Sequence, residues 1–211
     1  MLEIRKPNPP LNFRSKLTPL KKVDMIVLHH MAHKTAGIYD VHHWHKNKTY
    51  TNSAGKASYW SGIGYNYFIT FDGIIYEARG LHVGAHTSGY NNRSIGIGFQ
   101  GDFQQQQMPD AQLKAGAALC AKLLKDYSLA PQDIKKHNDL AATGCPGKNF
   151  RFAELKELLN PGKNSFPAEN DVIYTVQVGA FKNKANAEKL REQLVGQGYT
   201  DIFISKKFVE K

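Results

Sequence analysis

Two cysteines in 211 residues, Cys120 and Cys145, are too few for a disulfide framework, so the fold depends on a packed core. Acidic side chains are also in the minority, 18 against 28 Lys and Arg, which leaves a net charge of +10. That balance suits polyanionic partners such as nucleic acid, anionic lipid or an anionic wall, and equally suits a merely solvated surface. Long apolar runs are missing. No stretch approaches the roughly 18 residues that span a bilayer, so membrane insertion is not expected. The first twenty residues, MLEIRKPNPPLNFRSKLTPL, hold no continuous apolar segment of the signal-peptide kind. The chain is therefore expected to be made in the cytoplasm without a secretion signal of its own. Internal repeats and low-complexity tracts are absent as well.

What is present reads as one globular domain with a small appendage, given the length and a hydrophobic content of 41%. Residues 23–30 (VDMIVLHH) read as a buried strand, with Val23, Met25, Val27 and His29 on one face and Asp24, Ile26, Leu28 and His30 on the other. The two histidines therefore cannot both point into one site. A short helical pattern follows through Ile38, Val41 and His45, then a polar loop through Ser58. Residues 65–71 and 74–79 flank Asp72-Gly73, a strong hairpin signal, and Tyr65, Tyr67, Ile69 and Phe71 fall on one face. Residues 94–99 (SIGIGF) form another strand, whose two glycines imply that something approaches the backbone closely. An amphipathic helix spans 110–127 and a shorter one 152–159. Cys120 lies on the helical stripe of Leu113, Ala117, Leu124 and Tyr127 and reads as core. The alternation of strands and helices predicts an α/β fold, a mixed central β-sheet with helices on its faces, over residues 1–159. Residues 160–171 (NPGKNSFPAEND) have linker composition, and 172–211 predict a small C-terminal β-α-β segment: strand 172–181, helix 184–197, strand 201–208. A segment of that size buries little core alone.

The chemistry is concentrated in HNDLAATGCP, residues 137–146, together with His29 at the end of the first strand. Zinc prefers imidazole nitrogen and thiolate sulfur, and a catalytic zinc keeps three protein ligands and one open position. His29, His137 and Cys145 match that donor set. His137 and Cys145 stand eight positions apart, outside the compact finger spacings, so a surface histidine and an unrelated buried cysteine remain an open alternative on spacing alone.

The ordered set IVLHH (26–30), WH (44–45), WSGIGYNYFI (60–69), DGIIYEARG (72–80), GAHTSGYNNRSIGI (84–97), GDF (101–103) and HNDLAATGCPG (137–147) resembles the zinc amidases of the phage-lysozyme and peptidoglycan-recognition-protein family. The resemblance implies an N-acetylmuramoyl-L-alanine amidase, which cuts the bond between glycan and stem peptide in bacterial peptidoglycan. It implies Zn2+ held by His29, His137 and Cys145, and Tyr65 beside the metal as an oxyanion donor. His45 and His86 match positions that line the cleft, with structural roles as the alternative, and Asn91 either touches the stem peptide or holds loop shape. Two departures stand out. Some branches of the family carry Glu where this chain has Gly98, and others carry Lys where it has Thr143. Thr143 is the remaining catalytic candidate, able to donate a hydrogen bond but a poor general base.

The tail, YTVQVGAFKNKANAEKLREQLVGQGY at 174–199, resembles the first half of a SPOR domain, a module that binds glycan strands lacking stem peptides. The resemblance implies a wall-binding half-module that is truncated or completes its sheet as a homodimer; the alternative is a generic β-α-β appendage. Together the two resemblances imply a phage endolysin or prophage autolysin that reaches the wall by lysis or through a holin. A non-catalytic peptidoglycan-recognition module is the alternative, and retention of all three ligand residues speaks against it. A secreted immune protein would need a cysteine pair that this chain does not have, and a wall-binding tail would serve a cytoplasmic recycling amidase poorly. No Arg/Lys-aromatic motif of a known reader appears, so a nucleic-acid partner is not expected.

Overall fold

The computed structural model describes residues 2–51, 54–159 and 181–198. Contacts divide the chain into two compact units, Met1–Phe166 and Pro167–Lys211. In the second, a helix runs over Lys184–Gly196 and is capped by Asn183, whose Oδ1 accepts from Ala185 N at 2.9 Å. The expected strands 172–181 and 201–208 and the linker 160–171 lie outside the described residues, Phe181 excepted.

The first unit is built on a five-stranded sheet. In chain order its strands are β1 (Met25–His30), β4 (Tyr67–Ile69), β5 (Ile75–Glu77), β6 (Ser94–Phe99) and β7 (Ile134–Lys136), and in space they run β5-β4-β6-β1-β7. A separate two-stranded ladder joins β2 (Thr49–Thr51) to β3 (Ala57–Tyr59), and the helices of this unit are α1 (Ile38–Lys46), α2 (Asp110–Asp126) and α3 (Phe152–Glu157). β1 pairs in parallel with β6 and β7, and β6 in parallel with β4; only the β4–β5 hairpin is antiparallel. The sheet is therefore mixed, as the alternation of strands and helices predicts.

Central parallel strands are buried on both faces, and β1 and β6 are apolar for that reason. One face carries Ile26, Leu28, Tyr67, Ile69, Ile95, Ile97 and Phe99, packed under Leu113, Ala117, Cys120 and Leu124 of α2 and Leu155 of α3. Cys120 is core, as its stripe predicts, and burial pushes its thiol up to about 12. The other face is where the strand register matters for chemistry. His29 aligns with Gly98, and Gly98 with Phe68, so these three share a row, and Phe68 in it packs with Ile38 and Val41 of α1.

Three expectations are corrected. The polar loop through Ser58 contains the β2–β3 ladder, which shows no apolar alternation because neither of its faces is buried. β7 was not expected; it is three residues long, and only Ile134 in it is buried. Tyr65 does not share the face of Tyr67 and Ile69. Arg79 N donates to Tyr65 O, while Ala78 N and Gly80 N both donate to Asn66 O, and this irregular pairing breaks the alternation and turns Tyr65 to the His29 face.

Candidate metal centre

His29 closes β1, and the fold places its ring, 1% exposed, on the face that the alternation predicts. Its Nδ1 faces Cys145 Sγ at 3.8 Å, and its ring centroid lies 4.5 Å from that of His137. One donor atom from each of His29, His137 and Cys145 falls within 4.8 Å of the other two. Zinc with standard Zn–N and Zn–S lengths in a tetrahedron sets an N···S edge of about 3.6 Å. The observed separations therefore fit a tetrahedral metal after small closing movements of the side chains. His30 takes no part from its own ring. That ring lies on the opposite face, where Nδ1 accepts from Phe103 N at 3.1 Å. Its backbone N–H points at Cys145 Sγ at 3.4 Å, a contact that favours thiolate, although burial pushes the thiol up to about 12.

The loop that carries His137 and Cys145 is fastened from both ends. Asn138 N donates to Cys145 O at 2.9 Å, and Gln104 Nε2 donates to Gly144 O at 2.8 Å. Gly147, at φ +99°, lies so close to Phe103 that a Cβ would sit 2.5 Å from the Phe103 carbonyl carbon. Thr143 Oγ1 accepts from Cys145 N at 3.2 Å, so its oxygen shapes the loop just ahead of the thiol.

Tyr65 borders the same cluster, with its ring centroid 5.2 Å from that of His29 and 5.6 Å from that of His45. Burial, with Cys145 nearby, raises its pKa well above the usual phenol value and keeps the hydroxyl a donor. Gly98 explains the missing carboxylate. A Cβ there would stand 2.8 Å from Tyr65 Cδ2 and 2.9 Å from Cγ, so the tyrosine ring fills the space a Glu side chain would need. His45 is half-buried beside Trp60 and Tyr65. Its Nδ1 accepts from Gly64 N at 3.0 Å, which leaves the proton on Nε2, and burial lowers its pKa to about 4.

His86 departs from the expectation of a cleft-lining residue. It is buried behind His29 with Nδ1 3.1 Å from His29 Nε2, and burial lowers its pKa to about 3. Asn91 takes the loop-shaping alternative: its Oδ1 accepts from His86 N at 2.7 Å and Thr87 N at 2.9 Å. The sequence signal for His86 was the pair of β6 glycines, since Gly96 contacts this ring and Gly98 that of Tyr65. Arg79, which the sequence did not single out, is buried and donates to the carbonyls of Ile63 (2.6 Å) and Val83 (2.8 Å), bracing the approach to Tyr65. Among the described residues, the side-chain hydrogen bonds of His29, His45 and His86 go to one another's rings, to Thr87, Ser94, Cys145 and the Gly64 N–H, with no carboxylate among the partners.

The mixed α/β sheet thus brings a His–His–Cys donor set together beside the end of β1, the arrangement of a candidate metal-site protein, and the comparisons narrow it. Residues 19–148 match the family profile described as N-acetylmuramoyl-L-alanine amidase, and residues 170–211 match the SPOR domain. The chain belongs to the N-acetylmuramoyl-L-alanine amidase family and carries a SPOR domain at its C-terminus. Among solved structures it is similar to an endolysin N-acetylmuramoyl-L-alanine amidase from Clostridium intestinale, at 32% identity and a TM-score of 0.65, over 75% of this chain and 96% of that one. It is also similar to peptidoglycan recognition protein-LE in complex with tracheal cytotoxin, a monomeric diaminopimelic acid-type peptidoglycan, at 29% identity and a TM-score of 0.57, over 69% and 86% of the two chains. Peptidoglycan-recognition protein SC2 of Drosophila simulans is 36% identical over 93 residues, 43% of this chain and 50% of that protein, so the match spans half of that relative's length.

Proposed function

We propose that the protein is a Zn2+-dependent N-acetylmuramoyl-L-alanine amidase that hydrolyses the amide between N-acetylmuramic acid and L-alanine in bacterial peptidoglycan. The observation that carries this reading is the convergence of His29, His137 and Cys145 within 4.8 Å, with Tyr65 at their border. A zinc ion there supplies a Lewis acid for the amide carbonyl and an acidified water as nucleophile. The chain's own groups do the rest. His29, His137 and Cys145 hold the ion, and the Tyr65 hydroxyl, kept protonated by burial, donates to the oxygen on which negative charge develops. His45, neutral at working pH with its proton on Nε2, donates to the substrate rather than accepting a proton. Thr143 shapes the ligand loop through Cys145 N.

The similarity to an endolysin amidase supports placing the enzyme as a phage endolysin or prophage autolysin, made in the cytoplasm and reaching the wall by lysis or through a holin. The SPOR match supports a tail that binds glycan strands without stem peptides, the product of the amidase, alone or as a homodimer. Such tethering raises the enzyme's effective concentration at the wall. Among the described residues no carboxylate hydrogen-bonds to the His29, His45 or His86 ring, and this, together with likeness to recognition proteins, favours one second reading, a module that binds peptidoglycan without cutting it. Release of new N-terminal L-alanine from purified peptidoglycan separates the two. An amine that appears with Zn2+, disappears with a chelator and is lost in Cys145→Ser establishes the amidase. Wall binding by a zinc-loaded protein that releases no amine from several peptidoglycan types overturns it.

A further inference from the structure

The wall of the site behind His29 is a slot with an imidazole in it. His86 enters between Gly84 and Gly96, and a Cβ on either glycine would come within 2.4 Å of His86 Cδ2. His86 is 9% exposed, and the backbones of both glycines crowd its ring. At one end Nδ1 stands 3.1 Å from His29 Nε2, with Thr87 Oγ1 3.1 Å from the same Nδ1 and 3.4 Å from His29 Nε2. At the other end Nε2 stands 3.4 Å from Ser94 Oγ.

Donor accounting gives this chain one direction. Ser94 Oγ has a single proton and donates it to Tyr90 O at 2.7 Å, so toward His86 it can only accept. His86 therefore carries its proton on Nε2 and has a bare lone pair at Nδ1. That lone pair accepts the His29 Nε2 proton, and His29 is left with a bare Nδ1, the atom that faces Cys145. A backbone carbonyl, which cannot change its role, thus sets the tautomer of a ring two steps away.

We propose that His86 is a positioning residue of the metal centre: seated between Gly84 and Gly96, it accepts the His29 Nε2 proton and so presents the Nδ1 lone pair of His29 to the ion. The inference rests on the metal-site reading given above. An acceptor behind a metal-binding imidazole fixes both its tautomer and its orientation, and losing that acceptor generally costs about 10–100-fold in metal affinity.

The test is Zn2+ affinity of the full chain, read by competition with a chromophoric chelator, alongside 15N NMR of the histidine rings. His86→Leu removes the acceptor and is expected to weaken Zn2+ binding by about 10–100-fold. His86→Asn places an amide oxygen near the Nδ1 position and is expected to recover most of that loss. NMR of the unsubstituted protein is expected to show both His29 and His86 protonated at Nε2. A folded His86→Leu that binds Zn2+ as tightly as the parent overturns the proposal, as does an Asn variant no better than Leu. If the Leu variant does not fold, the NMR decides, because a His86 protonated at Nδ1 is incompatible with the arrangement. A parent chain that binds no Zn2+ overturns the metal reading instead, while the ring tautomers still report separately on the hydrogen-bond order.

Discussion

Gly98→Ala tests whether Tyr65 is placed by the absence of a side chain. The added Cβ would lie 2.7 Å from Met31 Cε, 2.8 Å from Tyr65 Cδ2 and 2.9 Å from Tyr65 Cγ. Carbon atoms pack at about 3.5–4.0 Å, so the contacts must open by roughly an ångström. Met31 can swing its methyl away, but Tyr65 Cγ lies near the base of its ring, so relief there moves the whole ring and its hydroxyl. Over-packing of this kind costs about 1–3 kcal/mol of stability. Misplacing a catalytic group by about 1 Å can cost about 10²-fold in rate. His29 is the register partner of Gly98, and its ring is not among the three atoms nearest the added carbon, so the ligand set should stay in place. The expected outcome is a folded protein with kcat for L-alanine release down about 10²-fold, near-parental Zn2+ affinity, and a Tm lower by several degrees. A Gly98→Ala chain that is folded and fully active refutes the reasoning, because then Tyr65 either is not displaced or is not needed.

Three further outcomes follow from the same geometry. Tyr65→Phe should lower kcat by about 10²–10³-fold with little change in Zn2+ affinity, and comparing the two measurements on one preparation checks it. Gln104→Ala removes the donor to Gly144 O at 2.8 Å and loosens the Cys145 loop; Zn2+ affinity should fall by up to about tenfold, the worth of one hydrogen bond, and unchanged affinity counts against the clamp. Burial lowers His45 to about 4, so the unfolded chain takes up a proton near pH 6.5 while the folded one resists; stability is full above that value and is lost as pH falls from 6.5 toward 4, by on the order of 1.4 kcal/mol per pH unit, with His42, also lowered by burial, acting in the same direction, and denaturant midpoints that stay flat from pH 7 to 4.5 contradict it.

Much of the site was legible because it depends on alternation and residue chemistry. The strand 23–30 put His29 and His30 on opposite faces, and they lie there: one ring faces Cys145, while the other accepts from Phe103 N. The glycines of SIGIGF announced close approaches, and the rings of His86 and Tyr65 make them. What remained hidden required contacts between distant segments. Tyr65 reads as a strand residue from its neighbours, yet Asn66 holds Gly96 through its Oδ1 and Gly80 and His82 through its Nδ2, and this knot of bonds to remote backbone breaks the alternation. His86 could be placed in the cleft by resemblance, but only the slot between residues 84 and 96 shows that it stands behind a ligand. β7 and the β2–β3 ladder are too short or too exposed to leave a pattern.

β6 gives a further separation that tests the architecture as a whole. One strand presents Ile95, Ile97 and Phe99 to the core and Ser94, Gly96 and Gly98 to the site, so beyond the Ser94 hydroxyl its site face contributes space rather than side chains. Buried imidazoles in that space need partners, and they have them: among the described residues the one buried side-chain polar atom without a partner is Gln112 Oε1, on α2. A polar network so completely satisfied has one low-energy arrangement, and this is what a preorganised metal site requires. The two glycines hold different rings, so enlarging them should have different consequences. Gly96→Ala would bring a Cβ within 2.4 Å of His86 Cδ2 and 2.5 Å of Cγ, ejecting the ring behind His29 while leaving Tyr65 against Gly98. Its first effect should be on Zn2+ affinity, and turnover at saturating Zn2+ should be much less affected. Gly98→Ala should reverse that order. If both substitutions lower kcat and Zn2+ affinity together, the two rings are not held independently and the face acts as one packed unit.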